Sequence, residues 1–408
     1  MVLAGGEGTR LMPLTALRAK PAVPFAGSYR LIDFVLNNFV NSGIIRIYVI
    51  TQYKSQSLYK HLQNGWSVSG IPNCFIDPIP AQMRTGRDWY KGTADAVYQN
   101  LDFIAEHYPD EVCVFGSDHI YKMDIRQLIS FHHAHRADLC VAALRMPARD
   151  CAGNFGVIEV DADWRVTGFE EKPEHPHELP GAPGTCLVSM GNYIFRASML
   201  SEVLIADAHD PGSSHDFGHD IIPALCRHAR VFAYDLTQNR IEGETSNIYW
   251  RDVGSVDAYW ESHMDLICTD PPFRLGNAKW PLHTFYPPLP PAHFSDTVAN
   301  RASVSQSMIS AGCDIEGAGI NKSVLGFRCQ AGDGAQVEET VLIGDIRVGD
   351  NCRIRRAIVD RKVEFARGFT LGYDEAADRE LVSRYNNRGM RISQNGIIVI
   401  PQGLKLGF

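Results

Sequence analysis

Toward its C-terminus the chain carries aliphatic residues every five or six positions: Ile309 to Ile315, Val337 to Ile343, Val348 to Ile354, then Val359. This is the texture of hexapeptide repeats, and Gly349 and Asp350, directly after Val348, supply the small turn-forming residues such repeats use. One turn of this kind buries its apolar side only against the next, so the expected product is a short parallel β-helix. A generic antiparallel β-domain is the alternative. Just upstream, seven prolines fall between Pro271 and Pro291. Such a stretch continues neither a helix nor a central strand and reads as an extended linker. The expected division is therefore residues 1–265, a proline-rich linker over 266–297, and the β-helix over 298–408, in keeping with a chain of 408 residues at roughly 100–200 per domain.

The first part alternates β-rich runs with helical patterns. Met1–Ala4, Ile44–Ile50, Val112–Phe115 and Leu139–Leu144 read as buried strands. Arg30–Ser42 places Leu31, Phe34, Val35, Phe39 and Val40 at helical spacing, and Thr93–Phe103 continues as a helix after a Gly-Thr start. The alternation predicts an α/β domain with a mixed, mostly parallel sheet covered by helices. In such sheets ligands bind beyond the carboxyl ends of the strands.

Composition narrows the function classes. A hydrophobic share of 45% with 21% charged residues excludes a largely disordered chain. A net charge of −8 argues against nucleic acid as a partner. No apolar run approaches the roughly 20 residues of a membrane span, and Met1-Val2-Leu3-Ala4 has no basic residues of a secretory signal before it. Ten cysteines, scattered without a C-x-x-C pair, read as reduced thiols of a cytoplasmic enzyme and offer no zinc-ligand spacing.

The sharpest local feature is Leu3-Ala4-Gly5-Gly6-Glu7-Gly8-Thr9-Arg10. A strand running into three glycines lets backbone N–H groups approach an anion closely, and Arg10 and Lys20 are placed to neutralise phosphate charge. The loop fits neither G-x-G-x-x-G nor G-x-x-x-x-G-K-[ST], which disfavours hydride transfer and ATPase chemistry. Taken alone it is equally readable as a tight strand–helix turn.

The longer arrangement L-A-G-G-x-G-T-R-L-x-P-L-T-x-x-x-A-K-P resembles the sugar-1-phosphate nucleotidyltransferases. Downstream motifs resemble their ADP-glucose pyrophosphorylase (glucose-1-phosphate adenylyltransferase) branch in particular. They include Thr51-Gln52-Tyr53-Lys54, Pro80-Ala81-Gln82, Trp89-Tyr90-Lys91-Gly92-Thr93-Ala94-Asp95-Ala96 and Ser117-Asp118-His119-Ile120-Tyr121-Lys122-Met123-Asp124. Phe155-Gly156-Val157, Phe169-Glu170-Glu171-Lys172-Pro173, Ser189-Met190-Gly191, Ser213-Ser214-His215-Asp216-Phe217-Gly218 and Tyr249-Trp250-Arg251-Asp252-Val253-Gly254 follow in order.

The resemblance covers essentially the whole chain. It implies a Rossmann-like nucleotidyltransferase domain followed by a left-handed parallel β-helix, and a homotetramer without nucleic acid or membrane partners. The implied reaction is attack by the phosphate of glucose 1-phosphate on the α-phosphorus of ATP, supplying ADP-glucose for glycogen-type synthesis. Both partners are polyanions, so catalysis is charge neutralisation and in-line positioning, with Mg²⁺ as the expected cofactor.

Residue by residue, the resemblance makes Arg10, Lys20 and Asp118 catalytic, and Asp118 and Asp252 the metal holders. Leu3, Gly5, Gly6, Gly8, Thr9, Gln82, Gly92 and Thr93 fall on the nucleotide side. Tyr90, Gly156, Glu171, Lys172, Ser189, Tyr193, Asp216 and Phe217 fall on the sugar side, with Lys172 gripping the sugar phosphate and Glu171 the sugar hydroxyls. Asp95 reads equally as a first-turn helix charge. Glu7 in the glycine loop and Ser117 before Asp118 depart from the common pattern. His132, His133 and His135 suit a solvated helix end better than a metal site, and Trp164, Trp260 and Trp280 are expected to be packing residues.

Sugar-phosphate or nucleotide effectors are also implied. In members activated by fructose 1,6-bisphosphate, a lysine stands two residues before the alanine of Ala-Lys-Pro; here that position is Leu17. Arg18, Arg30 and Arg379 are the residues expected to form a weaker anion site between the domains. The rival readings are a UTP- or dTTP-dependent transferase, a non-catalytic regulatory subunit, and a hexapeptide acyltransferase. The last needs a β-helix histidine, and none occurs between Arg301 and Phe408.

Overall fold

Val2–Ala4 is the axis of the N-terminal sheet, paired in parallel with Arg46–Thr51 on one side and Glu111–Gly116 on the other. The computed structural model describes residues 1–68, 71, 73–82, 89–244, 248–272 and 274–408. Phe75–Pro80 extends the parallel run beyond Arg46–Thr51. The central strand Val2–Ala4 is short and apolar on both faces, as a helix-covered parallel strand must be. The other half is organised by the 12-residue strand Thr185–Arg196, antiparallel to Glu111–Gly116, Leu139–Pro147 and Gly156–Val160. Val166–Glu171 completes a hairpin on Gly156–Val160, and Val231–Asp235 runs parallel beside Leu139–Pro147. The strand–helix alternation thus yields parallel neighbours on one side of a mixed nine-stranded sheet. On the other side antiparallel pairing onto Thr185–Arg196 takes over, with Val231–Asp235 parallel at its edge.

The helix expected over Arg30–Ser42 is Leu31–Asn41, with Arg30 and Ser42 as its caps. The single helix expected over Thr93–Phe103 is instead two, Thr93–Tyr98 and Leu101–Ala105. The break follows from Asn100, whose Nδ2 takes the Ala96 carbonyl at 2.8 Å, the acceptor its own backbone amide would use in a continuous helix.

The proline-rich stretch is extended, but it is no free spacer. Asn37 and Asp33, buried in the helix Leu31–Asn41, require partners, and the strap supplies them. Asn37 Nδ2 donates to the His283 carbonyl (2.8 Å), His283 N–H returns a bond to Asn37 Oδ1 (2.7 Å), and Thr284 Oγ1 donates to Asp33 Oδ2 (2.6 Å). Trp280 is buried beside them.

Beyond it the chain winds through three sheets beginning at His293–Ser295, Ser303–Ser305 and Met308–Ile309, parallel throughout except where Arg391–Ile392 pairs antiparallel with Ile398–Ile400. Ile315, Ile320, Leu325, Ala331, Val337, Leu342, Val348, Ile354, Val359, Phe365 and Leu371 are all buried in one interior cluster, five or six residues apart. The repeat closes because each coil uses one such residue per face. Val337 pairs with Ile354 and Leu342 with Val359, each 17 residues on. At roughly 1.5–3 kcal/mol per buried aliphatic side chain, this ladder carries the domain.

The β-helix also leans on the first domain. Leu11, Leu14, Phe25 and Tyr259 share a core with Val341, Ile343, Ile358 and Val399. Trp260 Nε1 donates to the Glu339 carbonyl at 2.8 Å, under the Arg356 guanidinium. Trp260 and Trp280 therefore pack, and Trp164 lies 5.4 Å under Arg145.

Candidate active site

A cleft of about 570 Å³ opens where the parallel strands end. Leu3, Gly5, Gly6 and Lys20 form its floor, and Tyr90, Gly92 and Thr93 one wall. Asp118 stands at the back, and Glu171, Tyr193, Asp216 and Phe217 complete the lining. These sequence-predicted residues come together although they span more than half the chain.

The glycine loop needs its glycines for two different reasons. Gly8 has φ +67°, and a Cβ there would stand 3.0 Å from both Lys20 Cβ and Thr15 Cγ2. It turns the chain into the single 3₁₀ turn Thr9–Leu11. No described atom lies within 4 Å of a Cβ built on Gly6, so the floor is open toward the cleft. Gly8 and Thr9 shape this loop from behind rather than lining the cleft. Arg10 Nη2 would lie 3.3 Å from a Cβ on Gly254, directly over the Asp252 turn. Ser117 fits without strain, its Oγ donating to the Leu3 carbonyl at 2.6 Å and tying two strand ends together.

Asp118 leaves the strand Glu111–Gly116, and Asp252 ends the short strand Trp250–Asp252. They meet because Trp250–Asp252 pairs with His119–Tyr121, with Asp252 opposite His119. Lys20, nearly buried, spans both carboxylates: its Nζ is 2.7 Å from Asp118 Oδ2 and 3.4 Å from Asp252 Oδ1. Burial opposes the ammonium, but Asp118 and then Asp252 outweigh it and raise the Lys20 pKa. Burial likewise opposes the Asp118 carboxylate, yet Lys20 and then His119 hold it well below the usual range. Asp118, His119 and Asp252 offer ligand atoms within 4.8 Å of one another. Two hard carboxylate donors with His119 beside them fit a divalent cation. His119, 3.5 Å from Asp118 Oδ1, was missed by sequence reasoning; its adjacency to Asp118 in one motif was the only signal.

On the opposite wall the loops 92–94 and 213–218 clamp each other. Thr93 Oγ1 donates to Asp216 Oδ2 (2.9 Å) and accepts from Phe217 N–H (3.0 Å). A Cβ on Gly92 would run into the His215 carbonyl. Tyr90 Oη accepts from Asn100 Nδ2 at 3.0 Å. Phe217 is buried by Tyr193 and Phe195, so its ring backs the wall. Ser189 and Tyr193 flank a bulge in Thr185–Arg196, where four residues advance against two of the neighbouring strand. This irregularity re-aims Gly191 and Tyr193 into the cleft, and Ser189 Oγ accepts from Gly191 N–H at 3.2 Å. Burial raises the Tyr193 phenol pKa.

Lys172 has φ +49°, an uncommon conformation for a side chain this long. It is half exposed beside the cleft, with Nζ 2.6 Å from Glu171 Oε1. Gly156 lies behind Glu171 and lines no part of the cleft. Gln82 is exposed just after the strand Phe75–Pro80, outside the cleft lining; residues 83–88 of the adjoining motif lie outside the described residues.

Arg379 is a correction. Its guanidinium is held by Glu375 of its own helix, away from Arg18 and Arg30. Arg18 bonds Asp360 at 2.9 Å and Arg30 bonds Ser57. The third arginine whose charge acts on this pair is Arg361, on the β-helix, and burial with Arg361 and Arg18 lowers the Arg30 pKa to about 10. Arg379 carries the right charge for an anion site, but an i,i+4 partner satisfies its side chain locally. His133 pairs with Glu111 and His135 with the Phe131 carbonyl, so these histidines converge on no common point.

The chain also has close likenesses among known proteins. A family model for nucleotidyl transferases matches residues 1–268, and one for GlmU-like C-terminal hexapeptide domains matches 290–400, consistent with a left-handed β-helix. The glucose-1-phosphate adenylyltransferase 1 of Vibrio vulnificus (strain YJ016) is 55% identical over 408 residues, covering 100% of this chain and 98% of its own. Glucose-1-phosphate adenylyltransferase of Aliivibrio fischeri (strain ATCC 700601 / ES114) is 55% identical over the same shares. That of Anaeromyxobacter sp. (strain Fw109-5) is 43% identical over 412 aligned residues, 100% of this chain and 98% of its own. With both halves matched in order and over the full length, the chain belongs to the glucose-1-phosphate adenylyltransferases of the nucleotidyl transferase family.

Proposed function

We propose that this protein joins ATP and glucose 1-phosphate into ADP-glucose and pyrophosphate, the activated glucosyl donor of glycogen-type synthesis. The observation that carries the reading is Lys20 held between Asp118 and Asp252 at the mouth of the glycine loop. A phosphate oxygen of the sugar attacks the α-phosphorus of ATP, and the bond to the β-phosphate oxygen breaks as pyrophosphate leaves. Gly5 and Gly6 present backbone N–H groups to the triphosphate, Gly8 and Thr9 hold the loop in shape behind them, and Arg10 and Lys20 balance the triphosphate charge. Mg²⁺ held by Asp118 and Asp252 would neutralise charge on the reacting phosphates. Gly92 and Thr93 border the nucleotide, and Tyr90 lies toward the sugar. Glu171 accepts from sugar hydroxyls, Lys172 holds the sugar phosphate, and Ser189, Tyr193 and Asp216 complete the pocket over the Phe217 ring.

Pyrophosphate release should be fastest with ATP when ATP, UTP, dTTP, GTP and CTP are compared with glucose 1-phosphate. Equal or faster turnover with UTP or dTTP overturns the nucleotide assignment, and no turnover with any of them overturns the enzyme reading in favour of a regulatory subunit.

Regulation and assembly extend the proposal. The domain-interface arginines Arg18, Arg30 and Arg361 form the effector anion site, with Arg361 replacing Arg379. Beside it Leu17 is 68% exposed near Lys54 and Lys60, an apolar tip where a bisphosphate needs another cation. Each charge-assisted phosphate contact is worth about 1.5–3 kcal/mol. We therefore expect control by a sugar phosphate or nucleotide, with little response to fructose 1,6-bisphosphate. Initial rates at subsaturating ATP with fructose 1,6-bisphosphate, other sugar phosphates, AMP, phosphate and pyruvate test this; strong activation by fructose 1,6-bisphosphate overturns it. The first β-helix coil exposes Phe294, Val298 and Val304 at an outer strand edge, which supports assembly into a homotetramer. Ten thiols, none in a disulfide, suit the reducing cytoplasm, and no described helix is long and apolar enough to cross a membrane.

A further inference from the structure

We infer that Gly218, with Gly156 behind it, is a positioning residue that sets the Glu171 carboxylate and thereby how tightly the hexose is bound; this rests on Glu171 being the sugar-binding carboxylate. Neither glycine has a left-handed φ, so the backbone does not demand glycine at either place. Space does. A Cβ on Gly156 would stand 2.8 Å from Glu171 Oε2, and a Cβ on Gly218 would stand 2.7 Å from the same oxygen. The two come from unrelated parts of the chain. Gly156 is the register partner of Glu171 across the hairpin, whereas Gly218 lies in the π-helical turn Phe217–Ile221.

The other carboxylate oxygen, Oε1, is taken by Lys172 Nζ at 2.6 Å. Oε2 is thus bounded by two bare Cα positions, and the side chain is directed into the cleft that Glu171 and Gly218 both line. Gly218 N–H is committed to Asp216 Oδ1 at 2.9 Å, so its effect on Glu171 is one of shape rather than hydrogen bonding. A side chain held this way loses its rotamer freedom on folding instead of on binding, which raises affinity for whatever its carboxylate recognises. Gly218 isolates the effect better than Gly156, where a Cβ would also stand 2.6 Å from the Phe169 ring.

The test is initial-rate kinetics on the full chain for Gly218→Ala, Glu171→Gln, the double variant, and Gly218→Ala with Glu171→Asp. Gly218→Ala should raise KM for glucose 1-phosphate by about tenfold or more and leave KM for ATP within about twofold. The double variant with Glu171→Gln should be no worse than Glu171→Gln alone, because both remove one interaction. Glu171→Asp, one methylene shorter, should recover part of the affinity in the Gly218→Ala background while lowering it in the wild type.

Additive losses, or an unchanged sugar KM in Gly218→Ala while Glu171→Gln raises it, overturn the inference about Gly218. An unchanged sugar KM in Glu171→Gln overturns instead the assignment of Glu171, and the inference with it. If Gly218→Ala fails to fold, the shortened carboxylate must restore folding; failure of that pair as well shows Gly218 to be a requirement of the π-turn itself.

Discussion

Asp118→Asn and Asp252→Asn should each lower kcat by roughly two to four orders of magnitude, about 3–5 kcal/mol of transition-state stabilisation. Both substitutions keep shape and remove charge. In the wild type the Lys20 ammonium already lies between the two carboxylates, so this is the point where the protein gathers charge against two polyanions. With one carboxylate gone, the remaining one is largely committed to Lys20, and divalent-cation affinity should fall together with kcat. Titration of each purified variant with Mn²⁺, alongside kcat at saturating Mg²⁺ and a thermal melt, checks both parts. A folded variant with near-wild-type turnover removes that aspartate from the metal site.

Lys172→Gln is expected to act on binding rather than chemistry. A lysine that contacts the sugar phosphate before and during the reaction contributes uniform binding, so its loss raises KM without a matching fall in kcat. Loss of one charge-assisted contact of about 1.5–3 kcal/mol corresponds to a roughly 10- to 150-fold rise in KM for glucose 1-phosphate, with KM for ATP little changed. The φ of +49° at this position does not confound the result, since glutamine meets the same backbone preference as lysine. In the free protein Lys172 pairs with Glu171 while half exposed, and an ion pair of that kind costs little to reorganise when a phosphate arrives. Unaltered dependence on glucose 1-phosphate would show the lysine to be merely solvated.

Both predictions concern side chains that the sequence singles out. What each touches was not visible there. The glycine loop, the strand ends before Asp118, and the aliphatic ladder from Ile315 to Leu371 follow from rules acting over a few residues: torsional freedom at glycine, the period of a strand, the length of a β-helix face. The helix break at Asn100 was local too, but it turns on one side chain capturing the Ala96 carbonyl, a competition that apolar spacing does not register.

Other features depended on residues far apart in the chain. His119 joins the metal candidates only because Asp252 is its register partner in a two-residue-per-repeat ladder. The prolines form a pinned strap because Asn37 and Asp33, buried on the helix Leu31–Asn41, take partners about 250 residues away. Arg361, not Arg379, faces Arg18 and Arg30 because the β-helix docks through the cluster around Tyr259 and Val399.

The amino-acid sequence alone determined the two-part architecture, the glycine-rich turn after the first strand and the identity of the charged residues, since backbone torsions and side-chain charge are properties of short segments. Only the tertiary structure decided the partners: Lys20 between two aspartates, Glu171 against Gly218 and Gly156, and three arginines converging at the domain boundary. Close-packed interiors set such contacts to within a few tenths of an ångström, through strand register and domain docking that no local pattern encodes.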